Sequence, residues 1–470
     1  MIVPIYQLYL LQLENYELGR YWKLLFQKGF FSSKIPLRKS IVWTAKAITI
    51  FVFALILSIF LLFIGVYLFF SLPIGLILLP IGFVCFPFLY TFVCMLLWPF
   101  DAIVKHWYIQ QAKKLLVRHI KARIIGISGS YGKTTMKNVL SSVLSAKFRT
   151  ITTPESVNTP IGIAQWLLKT LKKETEVIII EYGEHYQGDI AGLCHMFPPD
   201  IAVLTGINEA HLERLKTLDT SITTMFEIVE HAKTDAVILL NADDEHIRSS
   251  YKKFVKNKRV SFYSGMNDSL AVLTITKKVF IEEKLGWDCT FQKLEKMFIP
   301  LLGEYALGDV AASIVIGNLL GMNAVEFKKG IADIKPIPHR LEPIIGSGEV
   351  LVIDDSYNGN PDGVTEAIRV LSRFKKRRKI YITPGLVEIG PKAPIIHEHI
   401  GRELAGVVDR VILVKNSVTP SIEKGLLASG FDPSHIIWFN TALEAHEALS
   451  GIIQAHDVVL FQNDWGDQYI

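Results

Sequence analysis

Along most of the chain charged residues recur every few positions, but from Ala47 to Phe100 there is none in 54 consecutive positions. A membrane-spanning helix needs about 20 apolar residues, so this run is long enough for two. Ser71-Leu72-Pro73-Ile74-Gly75 is the place to divide it, because proline lacks an amide hydrogen and glycine turns freely. The pattern predicts a transmembrane helical hairpin with spans at about 47–70 and 76–99, with Pro80 and Pro87 inside the second. Ahead of it, residues 5–31 set Tyr6, Tyr9, Leu13, Leu18, Trp22, Leu25 and Phe26 among charges. A helix lying in the membrane interface and an ordinary packed helix both fit that pattern.

At Arg123 the texture changes to short apolar runs separated by segments of helical period. Arg123 to Ile127, Val177 to Glu181 and Ile201 to Thr205 read as buried strands of a doubly wound α/β sheet. Residues 259–302 alternate, as in Val260-Ser-Phe-Tyr-Ser264, and predict a small β-rich insertion ahead of a helix around 307–320. Pro336, Pro338 and His339 mark a linker. A second strand and helix series follows, with strands at Val350 to Asp354, Lys379 to Thr383, Val411 to Lys415, His435 to Phe439 and Val458 to Gln462. The expected organisation is a membrane domain over 1–123, a P-loop doubly wound central domain over 124–338 and a Rossmann-like α/β domain over 339–470.

Composition sharpens this division. The 470 residues carry a net charge of +5, with 50% apolar content and a mean hydropathy of +0.32. Residues 1–123 hold 13 Lys and Arg against 3 acidic residues, a net of +10, which leaves −5 for the remainder. The basic residues flank the apolar run on both sides, an arrangement that places both flanks in the cytoplasm. The expectation is therefore a multi-pass protein of the cell membrane, in contact with membrane lipids, whose catalytic domains are cytoplasmic. Four cysteines without a CxxC or Cys/His cluster exclude a disulfide framework and the common zinc modules. Lys375-Lys-Arg-Arg-Lys379 reads as a solvated helix end, so no nucleic-acid partner is expected.

The first strand leads into Ser128-Gly129-Ser130-Tyr131-Gly132-Lys133-Thr134-Thr135 and then a helical pattern from Met136 to Ala146. A glycine-rich turn between strand and helix lets backbone amides and a helix N-terminus face an anion. Gly129, Ser130, Gly132, Lys133, Thr134 and Thr135 are thus the candidate ATP contacts, with Lys133 on the outer phosphates and Thr134 on Mg2+. The spacing departs from the strict GxxxxGK[ST] pattern, since Ile127 stands where the first glycine would be. Glu181 stands at a strand end and Asn208, Glu209 and His211 follow another, where ligands of such sheets gather. A carboxylate and an imidazole there can serve a second Mg2+ or its waters.

Further motifs follow in order: Thr153-Pro154 with Asn158-Thr-Pro-Ile-Gly162, Glu181-Tyr-Gly183 with Gly188-Asp-Ile190, and Thr205-Gly-Ile-Asn-Glu-Ala-His-Leu-Glu213. Leu240-Asn-Ala-Asp-Asp244, His339-Arg340-Leu341 and Asp354-Asp-Ser-Tyr-Asn-Gly-Asn-Pro361 complete the set. Over about residues 124–470 these motifs resemble the Mur ligase family, ATP-dependent enzymes that join a carboxylate to an amine in building peptidoglycan. The stretch Asp354 to Pro361 is most similar to the branch that adds D-alanyl-D-alanine to the UDP-muramoyl tripeptide. The resemblance implies an ATP-dependent, carbon–nitrogen bond-forming ligase that works through an acyl phosphate on a peptidoglycan-precursor-like substrate and an amino acid or dipeptide. It also implies catalytic roles for Lys133, Glu181, His211 and Arg340, and nucleotide contacts from Asn241, Arg340, Asp355 and Asn358. Thr134, Glu181 and His211 would hold the metal.

The chain departs from the family in several places. Met225, in Thr224-Met-Phe-Glu-Ile228, occupies the place of the family's carbamylated lysine, and a thioether offers Mg2+ no carboxylate-like oxygen. Tyr305, Ala306 and Asp309 replace the adenine segment, and Tyr305 either packs on adenine or lies in the core. Thr383 to Gly390 with His397 takes the place of a loop for the incoming amine, and Glu388 there is either its acidic contact or a capping or surface glutamate. The hairpin stands where the UDP-sugar domain is expected. Two alternatives are a ligase of this fold acting on a lipid-linked or other acyl acceptor, and a non-catalytic nucleotide-binding membrane scaffold.

Overall fold

The computed structural model describes residues 3–28, 41–71, 86–119, 121–184, 186–208, 215–256, 258–292, 294–357, 359–386, 389 and 392–462. The chain divides into two units, Met1–Tyr108 and Ile109–Ile470.

In the first unit the helices Val3–Leu13 and Leu18–Lys28 pack with Ala45–Ser71 and the start of Phe86–Arg118. Tyr6, Leu8, Leu11, Tyr21, Leu25, Ile50, Ala54 and Tyr90 form its core. Trp22 Nε1 donates to Thr91 Oγ1 at 3.1 Å, and the Tyr90 hydroxyl donates to the Pro4 carbonyl at 2.9 Å. The N-terminal segment thus forms two helices, both packed on the long apolar ones. The helices Ala45–Tyr67 and Phe86–Arg118 are long and apolar enough to cross a membrane by length and composition. The second differs from the predicted span: it begins at Phe86 and continues to Arg118 across the charged residues after Phe100. Pro87 is its second residue, where a missing amide hydrogen costs nothing, and the interior proline is Pro99. The expected turn around Pro73 and the position of Pro80 lie outside the described residues.

Among the described residues the second unit carries three sheets, two of six strands rich in apolar residues and one of three strands. The first contains β1 (Arg123–Ser128), β2 (Thr150–Thr152), β3 (Val177–Glu181), β4 (Ile201–Leu204), β5 (Val237–Asn241) and β6 (Arg259–Tyr263). Its order is β2-β3-β1-β4-β5-β6, and all its pairings are parallel. Central strands covered on both faces are near-continuous apolar runs, as the buried Ile201–Leu204 is and as Val177–Glu181 is up to its last residue, Glu181. Val260 to Tyr263 thus extends this sheet and does not belong to the predicted insertion. The insertion is the antiparallel sheet β7 (Ile275–Ile281), β8 (Gly286–Phe291) and β9 (Lys296–Ile299).

Helix Lys133–Ser145 buries Met136, Val139, Leu140, Val143 and Leu144, spaced by three and four, against the sheet. Helix Ala306–Leu319 is apolar nearly all round and shares that core through Val310, Ile314 and Val315.

The second sheet has the order β10-β11-β15-β12-β13-β14. β11 (Leu351–Asp355), β12 (Lys379–Thr383), β13 (Arg410–Val414), β14 (Ile436–Phe439) and β15 (Val458–Gln462) are parallel and lie within one or two residues of the predicted strands. The pattern did not announce β10 (Glu342–Ile345), which is antiparallel to β11. Both sheets bear out the expected α/β fold.

Candidate nucleotide-binding site

β1 is flanked by β3 and β4, so its carboxyl end opens between two neighbours, the position at which open α/β sheets bind ligands. The loop leaving it turns on Gly129 and Gly132, with φ of 148° and 78°. A Cβ at Gly129 would lie 2.2 Å from Thr205 Oγ1, so only glycine lets the loop pass β4. Ser130 N–H donates to Gly206 O at 2.8 Å, and Thr205 Oγ1 donates to the Tyr131 carbonyl, which ties the loop to the β4 side. Gly132 caps helix Lys133–Ser145 without a side-chain hydrogen bond, so the first amides of that helix have no side-chain acceptor at the cap.

Lys133 Nζ donates to Gly129 O and lies 3.1 and 3.2 Å from the two oxygens of Glu184. Thr134 Oγ1 donates to Glu181 Oε2 at 3.4 Å. Thr135 shares a hydrogen bond with Tyr305, whose ring is 41% exposed and so is not a core tyrosine. Asn241, an expected nucleotide contact, commits its amide locally: Nδ2 donates to Thr205 O at 2.7 Å and Oδ1 accepts from Asp243 N–H at 3.0 Å. His211, Asn358 and Glu388 lie outside the described residues.

Two residues that the sequence pattern does not single out, Lys137 and Glu184, complete the site together with Asp244, the last residue of the Leu240 to Asp244 motif. Lys137 is 2% exposed, and its Nζ lies 2.9 Å from Glu181 Oε2. It stands one turn after Lys133, so helical period alone puts both ammonium groups on one face. Glu184, beyond the end of β3, carries no local signal of its partner across the sheet. Burial pushes its carboxyl up, and the Lys133 ammonium opposes that rise. Asp244 caps helix Glu245–Phe254 through Ile247 N–H and also accepts from Ile207 N–H and the Tyr131 hydroxyl, all at 2.8 Å. It thereby joins the β5 end to the phosphate loop.

On the far side, Arg340 sits over the Tyr357 ring at 5.1 Å. Asp355 accepts from Leu341 N–H at 3.1 Å and from Gln462 Nε2 at 2.5 Å, and burial raises its pKa to about 6. Asn208 Nδ2 donates to Asp362 at 2.8 Å and to Asn360 at 3.3 Å. His397 serves the loop after β12: its Nε2 accepts from Leu386 N–H at 2.8 Å and its Nδ1 meets Ala393 O at 2.6 Å.

A nucleotide fits this donor set. The Ser130 hydroxyl is buried without a partner beside the loop amides, and a phosphate oxygen would satisfy it. Thr134 and Glu181 offer the hard oxygens that Mg2+ prefers. Met225, fully buried with its Sδ 3.8 Å from Ser128 Oγ, offers none.

Residues 127–317 match the Mur ligase middle domain, and residues 339–462 match the Mur ligase, glutamate ligase domain. UDP-N-acetylmuramoyl-tripeptide–D-alanyl-D-alanine ligase of Bacillus subtilis is 25% identical, over 76% of this chain and 76% of its own. The same-named proteins of Buchnera aphidicola (subsp. Acyrthosiphon pisum) and Escherichia coli are 30% and 27% identical, over 60% and 63% of this chain. The match spans 61% and 65% of those two relatives, less than two thirds of their length. The crystal structure of the MurF ligase from Thermotoga maritima in complex with ADP superposes with a TM-score of 0.66 at 26% identity, covering 77% of this chain and 80% of that one. MurF from Acinetobacter baumannii shares the fold, with a TM-score of 0.68 at 22% identity over 77% and 78%.

These relatives overturn the expected placement as a multi-pass cell-membrane protein with cytoplasmic catalytic domains. They are named for a UDP-linked muramoyl tripeptide and a dipeptide, both solutes of the aqueous phase. The two apolar helices do not outweigh this, because buried core helices and signal sequences pass the same test of length and composition.

Proposed function

We propose, because the chain belongs to the Mur ligase family, that it is an ATP-dependent ligase that joins D-alanyl-D-alanine to the UDP-N-acetylmuramoyl tripeptide of a peptidoglycan precursor. Its parts are residues 1–123, a nucleotide-binding part over 124–338 and a C-terminal part over 339–470. The observation that carries the reading is the meeting of Lys133 and Thr134 with the carboxylates at the end of β3. ATP supplies the γ-phosphoryl group that converts the substrate carboxylate to an acyl phosphate, from which the amine displaces phosphate to leave an amide.

The residues act mainly by positioning and by neutralising charge. The amides after Gly132, the Ser130 hydroxyl and the Lys133 ammonium gather the phosphates. Thr134 and Glu181 would hold Mg2+, with His211 as a further ligand implied by the resemblance. Arg340 reaches the phosphates from the C-terminal part, where Asp355 and Asn358 meet the nucleotide. Its guanidinium lies over the Tyr357 ring, which orients a group whose charge is permanent.

The test is phosphate release by the full chain with ATP, Mg2+, UDP-N-acetylmuramoyl tripeptide and D-alanyl-D-alanine. Release should depend on the dipeptide and fall by about 100-fold or more in Lys133→Ala, the scale of losing one charge-stabilising group. Dipeptide-dependent release no greater than in that variant refutes the substrate assignment. Buried Met225 favours a second reading, a nucleotide-binding protein without turnover. ADP binding with no amide product under these conditions would select it.

A further inference from the structure

Lys133 is the cation that the loop offers to phosphate, and in this protein a buried carboxylate already holds it. The Glu184 side chain is 2% exposed, and its two oxygens stand 3.1 and 3.2 Å from Lys133 Nζ. One helical turn on, Lys137 holds Glu181 at 2.9 Å, with side chains 2% and 8% exposed. One buried and one partly buried ammonium group and two buried carboxylates therefore cancel along one wall of the site. Helical spacing presents both lysines to the same side, and the two acids stand three residues apart, Glu181 as the last residue of β3 and Glu184 just beyond it.

That balance cannot survive the arrival of phosphate alone. A phosphate that takes the Lys133 ammonium leaves Glu184 buried without its counter-charge and under the field of Glu181. A buried carboxylate deprived of its partner is strongly disfavoured. Lys137 is committed to Glu181 and to the Pro154 carbonyl, so it does not replace the lost charge. The remaining oxygens, those of Glu184, Glu181 and Thr134, form the set of hard ligands that a divalent cation takes. Met225 fills the opposite flank beside Ser128 with sulfur, which such a cation does not take.

We propose that Glu184 makes nucleotide binding depend on a divalent cation: phosphate displaces its carboxylate from Lys133, and the cation then takes that carboxylate together with Glu181 and Thr134. This rests on the phosphate-loop reading above and adds a ligand to it.

The experiment is calorimetric titration of the full chain with ADP, in Mg2+ and in EDTA, for the unsubstituted protein, Glu184→Gln and Glu184→Ala. A parallel titration with Mn2+ in the presence of ADP is followed by electron paramagnetic resonance. The unsubstituted protein should bind ADP about tenfold or more weaker in EDTA than in Mg2+. Glu184→Gln should bind ADP in EDTA about tenfold tighter than the unsubstituted protein does, with little further gain from Mg2+, and its Mn2+ affinity should drop by a similar factor. Glutamine keeps the shape of glutamate, so this variant carries the test if Glu184→Ala unfolds. Unchanged Mg2+ dependence in Glu184→Gln overturns this inference and leaves the phosphate-loop reading standing. Failure of the unsubstituted protein to bind ADP under either condition overturns both.

Discussion

Asp355 and His397 are buried titratable groups whose surroundings push stability in opposite directions with pH. Asp355 titrates near pH 6 in the fold because burial disfavours its charge. It therefore contributes full stability below the ordinary carboxylate range and loses it as pH rises from about 4 to about 6. At about 1.4 kcal/mol per pH unit this amounts to about 3 kcal/mol. His397 is the reverse case: burial lowers its pKa, and Nε2 must stay unprotonated to accept from Leu386 N–H. Stability from this group is present above its ordinary value of about 6.5 and is lost as pH falls below it. Urea midpoints measured against pH should lose the downward slope between pH 4 and 6 in Asp355→Asn, and the loss below about pH 6.5 in His397→Asn. A slope that persists in either variant assigns it to another group. At this scale the sequence was informative where chemistry is local. Lys133 and Thr134 follow a glycine turn between an apolar strand and a helix, and that local context identifies them although the glycine spacing departs from the strict pattern. Glu184 was silent because its partner is 51 positions away and meets it only once β3 has paired with β1.

Elements were legible when their burial was uniform and illegible when it was shared. β1, β3 and β4 of the first sheet and β11 to β15 of the second are mostly apolar runs and lie close to where the pattern put them, whereas β2 and β5 were not foreseen as strands. β6 alternates because it is the sheet's edge, paired on one side to β5, and alternation alone made it look like part of the insertion. β10 is four residues long and half exposed, too short to carry a period. Charged and aromatic contacts tie the insertion to the C-terminal half, a cluster around Glu304 among them. Glu304 accepts from Lys278 at 2.7 Å and from the Arg373 guanidinium, which also lies over Trp287 at 4.4 Å. Arg373 is 27% exposed, so water weakens the ion pair and the stacking contributes at least as much. Arg373→Ala should cost about 1–2 kcal/mol in urea unfolding, while Arg373→Lys should recover less than half of it. Full recovery by lysine would show that charge alone matters there.

At the scale of the whole molecule, the middle and C-terminal regions of the second unit meet at the nucleotide site through few polar contacts. Asn208 to Asp362 and Asn360 is the best defined, and Ser156 Oγ to the Tyr357 hydroxyl at 3.4 Å is a second. Asn208→Ala removes the first and should cost about 1 kcal/mol, lowering the unfolding midpoint by about 2–4 °C. The bond lies outside the phosphate loop, so ADP affinity should hold within about threefold. A larger fall would make Asn208 part of the nucleotide contact itself. The N-terminal unit showed where reading stops: 54 uncharged residues foretold two long apolar helices, yet neither length nor composition says what covers them.

The central position of β1 also has a consequence in time. Its neighbours begin at Val177 and Ile201, and the loop after it is braced by Thr205 and Asp244. A chain emerging in order makes Lys133 more than 100 residues before Asp244, the residue that locks Tyr131 in place. The phosphate loop therefore spends that interval of synthesis without its walls. Nucleotide cannot stabilise the nascent chain until the fifth strand has left the ribosome.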